Sequence, residues 1–573
     1  MMDTSTQPKI HLHLHAPDTT LIHRAAIQGL WMTLKQLETR FPTPSQRIGE
    51  LSWKLTPYSV SLDWKGQDKR VLDWLLKQAF QVDKRGLISL TGLNPQTIPL
   101  INKIHLHQAL TATLLQHNRF VTTIFDPYKV SGINLYKTPP YLLLNLLIKL
   151  LNPGQFYLLL KGKPNPQASI KVKAYKAELE LNYKQLSAYI HQNFSHQLCK
   201  SKTHQWIDGY IPIVSWLYPG AIVRHQTIRQ YNQCKERTEY AFALLFLPIA
   251  CHYLILSKGI NEQMKSKKKN PAKYLLVIPD PINLEESAQI RWRLNFTNYQ
   301  NLYVSSVEEG ALSYYGKEIT QNFSPQRCQI ILYGKLMKKS QLRNPIDIQD
   351  FKITKIALKT YQLACCYLQE NKIIKTEKNF LVRLNLIRGM ISKNLLDKQP
   401  IWRNLWSILK ERDSYGEMRQ QLKYNQQGLF TMIKNSDEIS GSHHAFIDVI
   451  HEALKIIYAQ IYQDNPSAAS KKIERENERL KSKLLDCYKE ETFRHLMAKL
   501  LSKAGNLPTL NKNRRLVLPI LTGKIDWKEA RDITLIALSS YPTQARLNRE
   551  LLIFFVFPLL LDAQLYQLAL IIL

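Results

Sequence analysis

Hydrophobic and polar positions alternate with a period of two at several places in the first 345 residues. This spacing is typical of strands that bury one face. In KIHLHLH, Ile10, Leu12 and Leu14 lie on one face and three histidines lie on the other. The same alternation predicts strands in YSVSLDW (58–64), VTTIFD (121–126) and IKVKAYKAELELNY (170–183), the last with exposed Lys171, Lys173 and Lys176.

Apolar runs predict further strands in this part of the chain, and helical spacing predicts the helices between them. The runs are YAFALLFLPIACHYLIL (240–256), KYLLVIPDPINL (273–284) and RCQIILYGKLMKKS (327–340). The helical patterns are LIHRAAIQGLWMTLKQLETRF (21–41) and RVLDWLLKQAF (70–80).

Past residue 346 the pattern becomes helical. The long amphipathic segments are 353–370, 443–463 and 471–501, and we read the last as one charged helix with many i,i+4 pairs. The sequence therefore predicts an α+β fold with two parts. Residues 1–345 form a mixed α/β body, and residues 346–573 form a helical bundle.

The charge of the chain makes a polyanion the first partner to consider. The 573 residues contain 78 Lys and Arg against 45 Asp and Glu, for a net charge of +33. Hydrophobic residues make up 45%, which excludes a disordered basic tail. Because the charge is spread along the chain, we expect an extended surface that binds phosphates without reading bases.

The cysteines and apolar segments favour a cytoplasmic protein without a membrane span. There are seven cysteines, no C-x-x-C motif and no secretory signal. Polar residues interrupt the apolar stretches 141–160 and 551–573, so neither offers a span of about 20 apolar residues. A basic protein held on an anionic membrane through residues 551–573 stays a third alternative.

Known catalytic signatures are missing from the sequence. GALSYYGKE (310–318) has its glycines one residue too far apart for a phosphate-binding loop, and G-x-S-x-G does not occur. The histidines at 11, 13, 15, 105 and 107 could bind metal from a strand face, but no acidic or cysteine ligand lies nearby in sequence. We therefore expect a polar strand face, no enzyme activity and no cofactor. A metal-dependent nuclease or RNA-processing enzyme with an unrecognised site remains the alternative.

Four basic segments are candidates for DNA binding, each with a structural alternative. The loop 257–273 is either a phosphate contact or a solvated loop. RWRLNF (291–296) is a strand that either stacks on nucleic acid or forms an exposed sheet edge. RCQIILYGKLMKKS is a strand followed by basic residues. NKNRR is a loop between helices, and loops of this kind commonly bind a nucleic-acid backbone. The candidate residues are Gln263, Lys265, Lys267, Lys268, Lys269, Lys273, Arg291, Arg293, Lys338, Lys339, Asn511, Lys512, Arg514 and Arg515.

Three segments resemble one protein family. KIHLHLHAPDTTLIHRAAIQGLWMTL, SWLYPGAIVRH (215–225) and KIDWKEARDITLIALSSY (524–541) are similar, in this order, to the large subunit of type I CRISPR Cascade complexes. Within that family they look most like the myxobacterial-type branch associated with subtype I-B. Each motif alone is weakly specific, and the middle of the chain is only loosely matched.

The resemblance implies a non-catalytic subunit of an RNA-guided complex. Its partners would be guide RNA, target double-stranded DNA and the backbone, guide-end and small subunits. It would recognise the protospacer-adjacent motif on duplex DNA, help open the duplex, and recruit a helicase–nuclease or a transposon target-selector protein. The resemblance also implies that an internal start at Met418 or Met432 could yield a separate small subunit. The alternative is that these are two ordinary core methionines.

Overall fold

The computed structural model of the chain describes most residues between 8 and 541. The described ranges are 8–113, 167–174, 177–213, 235–257, 259, 273–318, 324–333, 336–338, 341–343, 346–375, 380–411, 415–437, 439–464, 466–522 and 524–541. They form two compact units. The first unit contains the described residues up to 257, then 273–353 and 372–382, and the second contains 354–371 and 383–541.

The first unit begins with a small sheet covered on one side by a long helix. The sheet is antiparallel with the order β1–β3–β2, formed by β1 (Ile10–His13), β2 (Ser52–Leu55) and β3 (Ser59–Asp63). Helix α1 (Leu21–Arg40) begins at a capping box, and its residues from Ala25 to Leu34 are all buried. The predicted strand and helix are confirmed, with Ile10 and Leu12 buried and His11 exposed.

Further helices and short strand pairs complete this core. The helices are α2 (Asp68–Ala79), α3 (Leu100–Thr113) and α4 (Ser195–Leu198). The antiparallel strand pairs are β4 (Phe80–Val82) with β5 (Ile88–Leu90), β6 (Gln167–Ala174) with β7 (Ala177–Lys184), and β8 (Tyr210–Pro212) with β9 (Lys235–Arg237).

The expected strand at 240–256 is half wrong. Residues Thr238–Leu244 and Leu247–Ala250 form helices α5 and α6, and only His252–Leu256 forms a strand, β10. Ala241 through Leu244 are all buried, so this stretch carries no polar face to show its period. An apolar run buried on every side is ambiguous between helix and strand.

Strand β10 belongs to a five-stranded sheet, in which it is parallel to β12 and the remaining pairs are antiparallel. The order is β12–β10–β11–β13–β16, with β11 (Lys273–Asp280), β12 (Tyr303–Val304), β13 (Gln326–Tyr333) and β16 (Ile346–Ile353). The predicted strands at 273 and 327 are confirmed. Two hairpins are formed by β14 (Leu336–Lys338) with β15 (Gln341–Arg343) and by β17 (Lys372–Lys375) with β18 (Phe380–Arg383).

The expected strand over RWRLNF is wrong. Helix α7 (Leu284–Arg293) includes its first three residues, and Leu294–Phe296 forms a 3-10 turn. The helix begins at Asn283, whose side chain accepts from the N–H groups of Glu285 and Glu286. Helix α8 (Val307–Tyr315) follows, and it contains the start of the segment compared with a phosphate-binding loop.

His105 and His107 do not lie on a strand face, contrary to expectation. Both are in helix α3 and both are buried. His107 accepts from the Ile88 N–H through Nδ1 and contacts the Lys184 carbonyl through Nε2. These two histidines connect secondary-structure elements inside the first unit.

The second unit is mainly helical, as the sequence predicts for the C-terminal part, and ten of its described α-helices lie between residues 355 and 521. They are α9 (Lys355–Tyr367), α10 (Leu386–Leu396), α11 (Leu405–Lys410), α12 (Tyr415–Tyr424), α13 (Gln426–Lys434), α14 (Gly441–Asp464), α15 (Ala469–Leu485), α16 (Glu490–Ala504), α17 (Pro508–Lys512) and α18 (Arg514–Leu521). An eleventh described helix, α19 (Trp527–Ser540), closes the unit. Helices α15 to α19 all pack on α14.

Segment 471–501 is two helices and not one, because the chain breaks between Leu485 and Glu490. Together, the sheets of the first unit and the helices of the second confirm the α+β class. VTTIFD, SWLYPGAIVRH and the apolar stretches 141–160 and 551–573 lie outside the described residues.

Candidate nucleic-acid interface

Arg291 is not a surface contact, contrary to the sequence prediction. Its side chain is 3% exposed, Nε donates to the Cys251 carbonyl at 2.9 Å, and Nη1 donates to Asn295 Oδ1 at 3.0 Å. Burial lowers the pKa of Arg291. The guanidinium borders a cavity of about 30 Å³ that Asn102 and His105 also line, so Arg291 organises a buried polar network.

Arg293 is exposed, as expected, but it already has a partner. Its Nη1 lies 3.0 Å from Glu318 Oε1, and its side chain is 48% exposed. An exposed pair of this kind contributes at most about 1 kcal/mol to stability. Arg293 can therefore exchange Glu318 for a phosphate at small cost, but it offers no preformed site.

The lysine-rich loop lies almost entirely outside the described residues. Of its candidates only Lys273 is described, as the exposed first residue of β11, paired in register with Leu256. Lys338 is on β14, opposite Gln341, and the side chains of Lys338 and Lys339 are outside the description.

The junction between α17 and α18 brings together the four C-terminal candidates. The sequence predicts a loop here, but Asn511 and Lys512 end one helix while Arg514 and Arg515 begin the next. All four side chains are exposed. We call Lys512, Arg514 and Arg515 the junction cations.

One side of the junction is anchored to the rest of the unit, and the other side exposes the cations. Glu452 on α14 accepts from the Thr509 N–H at 3.0 Å, and Val517 and Ile520 are buried. Among the described residues, no ion pair involves a junction cation. Two arginines at a helix N-terminus also oppose the helix dipole, which costs about 0.3–1 kcal/mol each. The dipole therefore gives no stability reason for Arg514 and Arg515, whereas Lys512 lies in the last turn of α17, where a cation is favourable.

Several other cations of the second unit pair with acidic neighbours. On α15, Glu476 contacts Arg479 at 2.7 Å and Lys503 at 2.9 Å, while Glu478 pairs with Arg419 and Glu474 with Lys423. These pairs turn the charged helix into a contact surface within the unit.

The first turns of α15 differ, and the sequence analysis missed them. Lys471, Lys472 and Arg475 are exposed and make no ion pair within the described part of the chain. The charge pattern of the whole helix, in which acidic and basic residues alternate, hides this local excess. A count over its first two turns would have found it.

The open face of the small N-terminal sheet carries the expected polar row. His11 Nδ1 lies 2.8 Å from Ser61 Oγ, and Lys54 is directly opposite Ser61 in register. These residues line a shallow groove of about 720 Å³. Within the described ranges no His, Cys, Asp and Glu side chains cluster as a metal site would require.

The first resembling motif fixes the start of α1. Thr20 and His23 form the capping box, and His23 Nε2 lies 3.2 Å from Glu236 Oε2. Arg24 donates from Nε to Asp280 on β11 at 2.6 Å and from Nη1 to the Thr19 carbonyl at 3.0 Å. The motif therefore joins α1 to the five-stranded sheet, and it presents no obvious ligand site.

The third resembling motif likewise builds the core of the second unit. Asp532 is 4% exposed and accepts from the N–H groups of Asn404 and Trp406. Its neighbour Arg531 is 5% exposed and donates to the Cys487 carbonyl at 2.9 Å.

No helix in the described ranges combines the length and the hydropathy that a membrane crossing requires.

Comparisons with known proteins agree with these motifs. Residues 11–135 and 155–245 match the DevT N-terminal domain, and residues 434–551 match the DevT C-terminal domain. The chain is also 22% identical, over 572 residues, to a protein of Myxococcus xanthus (strain DK1622) named CRISPR-associated protein Cas8a1/Csx13. That alignment covers 93% of this chain and 88% of the relative.

Proposed function

We propose that this chain is a Cas8-like, non-catalytic large subunit of an RNA-guided type I CRISPR effector complex. The observation that carries the proposal is the similarity to a CRISPR-associated protein over nearly the whole length of both chains. The matched domains at either end and the unpaired junction cations support it. The subtype I-B assignment is the finer part of the same proposal.

In this proposal, base pairing with the guide RNA reads the target sequence and the large subunit holds the DNA. Exposed cations contact phosphates and set affinity, while side chains that reach base edges recognise the protospacer-adjacent motif. Each good bidentate contact to a base contributes about 1–3 kcal/mol of discrimination. The lysine loop with Gln263 stays our candidate for that role, and the junction cations are our candidates for the phosphate contacts.

The partners follow from the same role. The subunit would assemble with guide RNA and with the backbone, guide-end and small subunits, then help open the duplex. It would recruit either a helicase–nuclease or a transposition target selector. Copurification with the neighbouring gene products tests this assembly, since the tagged chain should bring down a guide transcript. Recovery of a complex that contains no RNA would contradict the proposal.

The phosphate role predicts a specific loss on charge removal. In the guide-loaded complex, the triple variant Lys512→Gln, Arg514→Gln, Arg515→Gln should weaken duplex DNA binding at least tenfold. The slope of log affinity against log salt should also fall by about 0.9 for each lost phosphate contact. Titrations by gel shift at several salt concentrations measure both quantities.

A matched control separates position from net charge. Lys423→Gln, Arg479→Gln, Arg494→Gln also removes three charges from the second unit, but each of these residues has a glutamate partner. We expect this control to change affinity less than threefold. Equal losses in the two triple variants would contradict a localised contact.

Adding magnesium or manganese to the same reactions tests for cleavage, which we expect not to occur.

A further inference from the structure

Four side chains of the second unit form a continuous series of cation–ring and edge-to-face contacts that ends at the surface. The Arg531 guanidinium carbon lies 5.0 Å from the Trp527 ring and 4.0 Å from the Trp406 ring. Trp406 in turn contacts Tyr488, with ring centroids 5.5 Å apart and planes at 88°. Arg531 is 5% exposed whereas Tyr488 is 64% exposed, so this series of contacts runs from the core to solvent.

Hydrogen bonds hold Trp406 and Arg531, the inner residues of this series, in place. Trp406 Nε1 donates to the Leu485 carbonyl at 3.0 Å, and Arg531 Nη1 donates to the Cys487 carbonyl at 2.9 Å. Both acceptors lie within the three residues that precede Tyr488. The tyrosine ring is therefore presented by a supported backbone, and a ligand would lose little entropy in ordering it.

A cation lies beside the exposed ring. Lys410 Nζ is 5.1 Å from the centroid of Tyr488 and 3.2 Å from Asp486 Oδ1. A hydrogen bond to Tyr488 raises the pKa of Lys410, with a smaller contribution from Asp486. Because the Asp486 side chain is 74% exposed, water screens this pair strongly. A phosphate could replace Asp486 at small cost.

An exposed, supported aromatic ring with an adjacent ammonium group matches the chemistry of single-strand binding. Nucleobases stack on aromatic side chains whatever their identity, and lysines follow the phosphates. Large exposed aromatics also cost solubility when they serve no contact. Neither DevT domain match nor the relative's name assigns a role to this residue.

We propose that Tyr488 is a stacking site for an unpaired DNA base and that Lys410 contacts the adjoining phosphate. This deepens the proposed function and rests on it for the source of the strand, since an opened duplex supplies unpaired DNA. The stacking itself requires only a single-stranded oligonucleotide.

The test uses the purified full-length chain and an oligothymidine that carries one 2-aminopurine. Binding should quench the fluorescence by stacking. Tyr488→Ala should weaken binding about tenfold and remove most of the quenching, while Tyr488→Phe should retain both. Lys410→Gln should keep the quenching and lower the salt slope by about 0.7, the value for one contact to a single strand.

Tyr424→Ala is the matched control. Tyr424 is also in the second unit and is 62% exposed, but within the described residues no ring or cation stacks on it, so its loss should leave binding unchanged. Equal losses for Tyr488→Ala and Tyr424→Ala, or quenching that survives Tyr488→Ala, would overturn the proposal. An RNA oligonucleotide of the same sequence is a second arm. Stacking on RNA alone would overturn the assignment to DNA.

The outcome is independent of the proposed assembly. If the chain copurifies without guide RNA but Tyr488 still quenches the probe, the proposed function fails and the stacking site stands. If the assembly forms and Tyr488→Ala binds like the unmodified chain, only the stacking site fails.

Discussion

Asp532 is a buried carboxylate whose ionisation opposes folding. Burial raises its pKa from 3.8 to about 6, against the effect of Arg531 and of the N–H groups of Trp406 and Asn404. In the unfolded chain the carboxyl returns to its ordinary pKa. The folded chain therefore binds the proton more tightly between these two values.

We expect this carboxyl to make the protein more stable as the pH falls. Its contribution is fully present below pH 3.8 and is lost as the pH rises through about 6, with a total of roughly 3 kcal/mol. Asp532→Asn cannot ionise, so the variant lacks this dependence. Urea unfolding at pH 7.0 and 4.5 measures the unfolding free energy of each protein. Relative to the variant, the unmodified chain should be more stable at pH 4.5 than it is at pH 7.0. The exposed Asp486→Asn is the control, and a difference independent of pH for Asp532→Asn would contradict the assignment.

At the residue scale, sequence reasoning found exposed cations better than buried ones. The junction cations were identified because polar neighbours and flanking helices marked a surface. Arg291 was misassigned because its tryptophan neighbour suggested a strand, although a guanidinium can be buried when carbonyl and amide oxygens accept its hydrogen bonds. Those acceptors, Cys251 and Asn295, come from the strand-flanking loop and the following turn, and no local pattern reveals such a pairing.

Elements with alternating or clearly amphipathic patterns were predicted well. Strand β1 and helix α14 each have one polar and one apolar face, so their period is visible. Helix α1 exposes polar residues only in its last two turns, since Ala25 to Leu34 are all buried. Helix α5 could not be identified in this way because all of its faces contact the core. The break after α15 was missed because Asp486 to Lys489 contain no glycine or proline, and apolar spacing continues on either side.

The hairpin of β6 and β7 places its exposed lysines opposite glutamates. Lys171 and Lys173 are exposed, as the alternation predicts, but the register places Glu180 and Glu178 directly opposite them. Cross-strand pairs of opposite charge stabilise a sheet by about 0.2–1 kcal/mol each. The glutamates opposite therefore offset the positive charge of these lysines within their own hairpin.

We accordingly expect Lys171→Gln, Lys173→Gln to affect DNA binding little. In the guide-loaded complex the affinity for duplex DNA should change less than twofold, and the melting temperature should fall slightly through the lost cross-strand pairs. Gel-shift titration and thermal unfolding measure the two effects. A tenfold loss of affinity would show that the hairpin, with its glutamates, is nevertheless part of the DNA surface.

At the scale of the whole molecule, the net charge of +33 predicted a class of partner but not a location. Several of the cations described in the second unit pair with glutamates. Exposed cations without an ion pair among the described residues lie in groups of three at the junction and at the start of α15, and singly elsewhere in the unit. Composition records only the sum of charges. The placement of each charge depends on helix packing, which brings residues distant in sequence together.

Helices α14 to α19 have the organisation of a separate core. The last five of them pack on α14, and the matched DevT C-terminal domain begins at residue 434, two residues after Met432. A product that starts at Met432 would have 142 residues. It would retain α14 to α19 and the junction cations. It would lose residues 426–431 of α13 and all of the chain before them, including α11 and α12, which pack on α19 in the full chain.

We therefore expect an internal start to occur at Met432 rather than at Met418. Expression of the intact gene with a C-terminal tag should yield the full chain and a second, 142-residue product. Met432→Leu should remove the second product, while Met418→Leu should leave it. Both methionines are buried, at 0% and 1% exposure, so leucine preserves the core volume and should cost less than about 1.5 kcal/mol. A single tagged band from the unmodified gene would show instead that the two methionines serve only as packing residues.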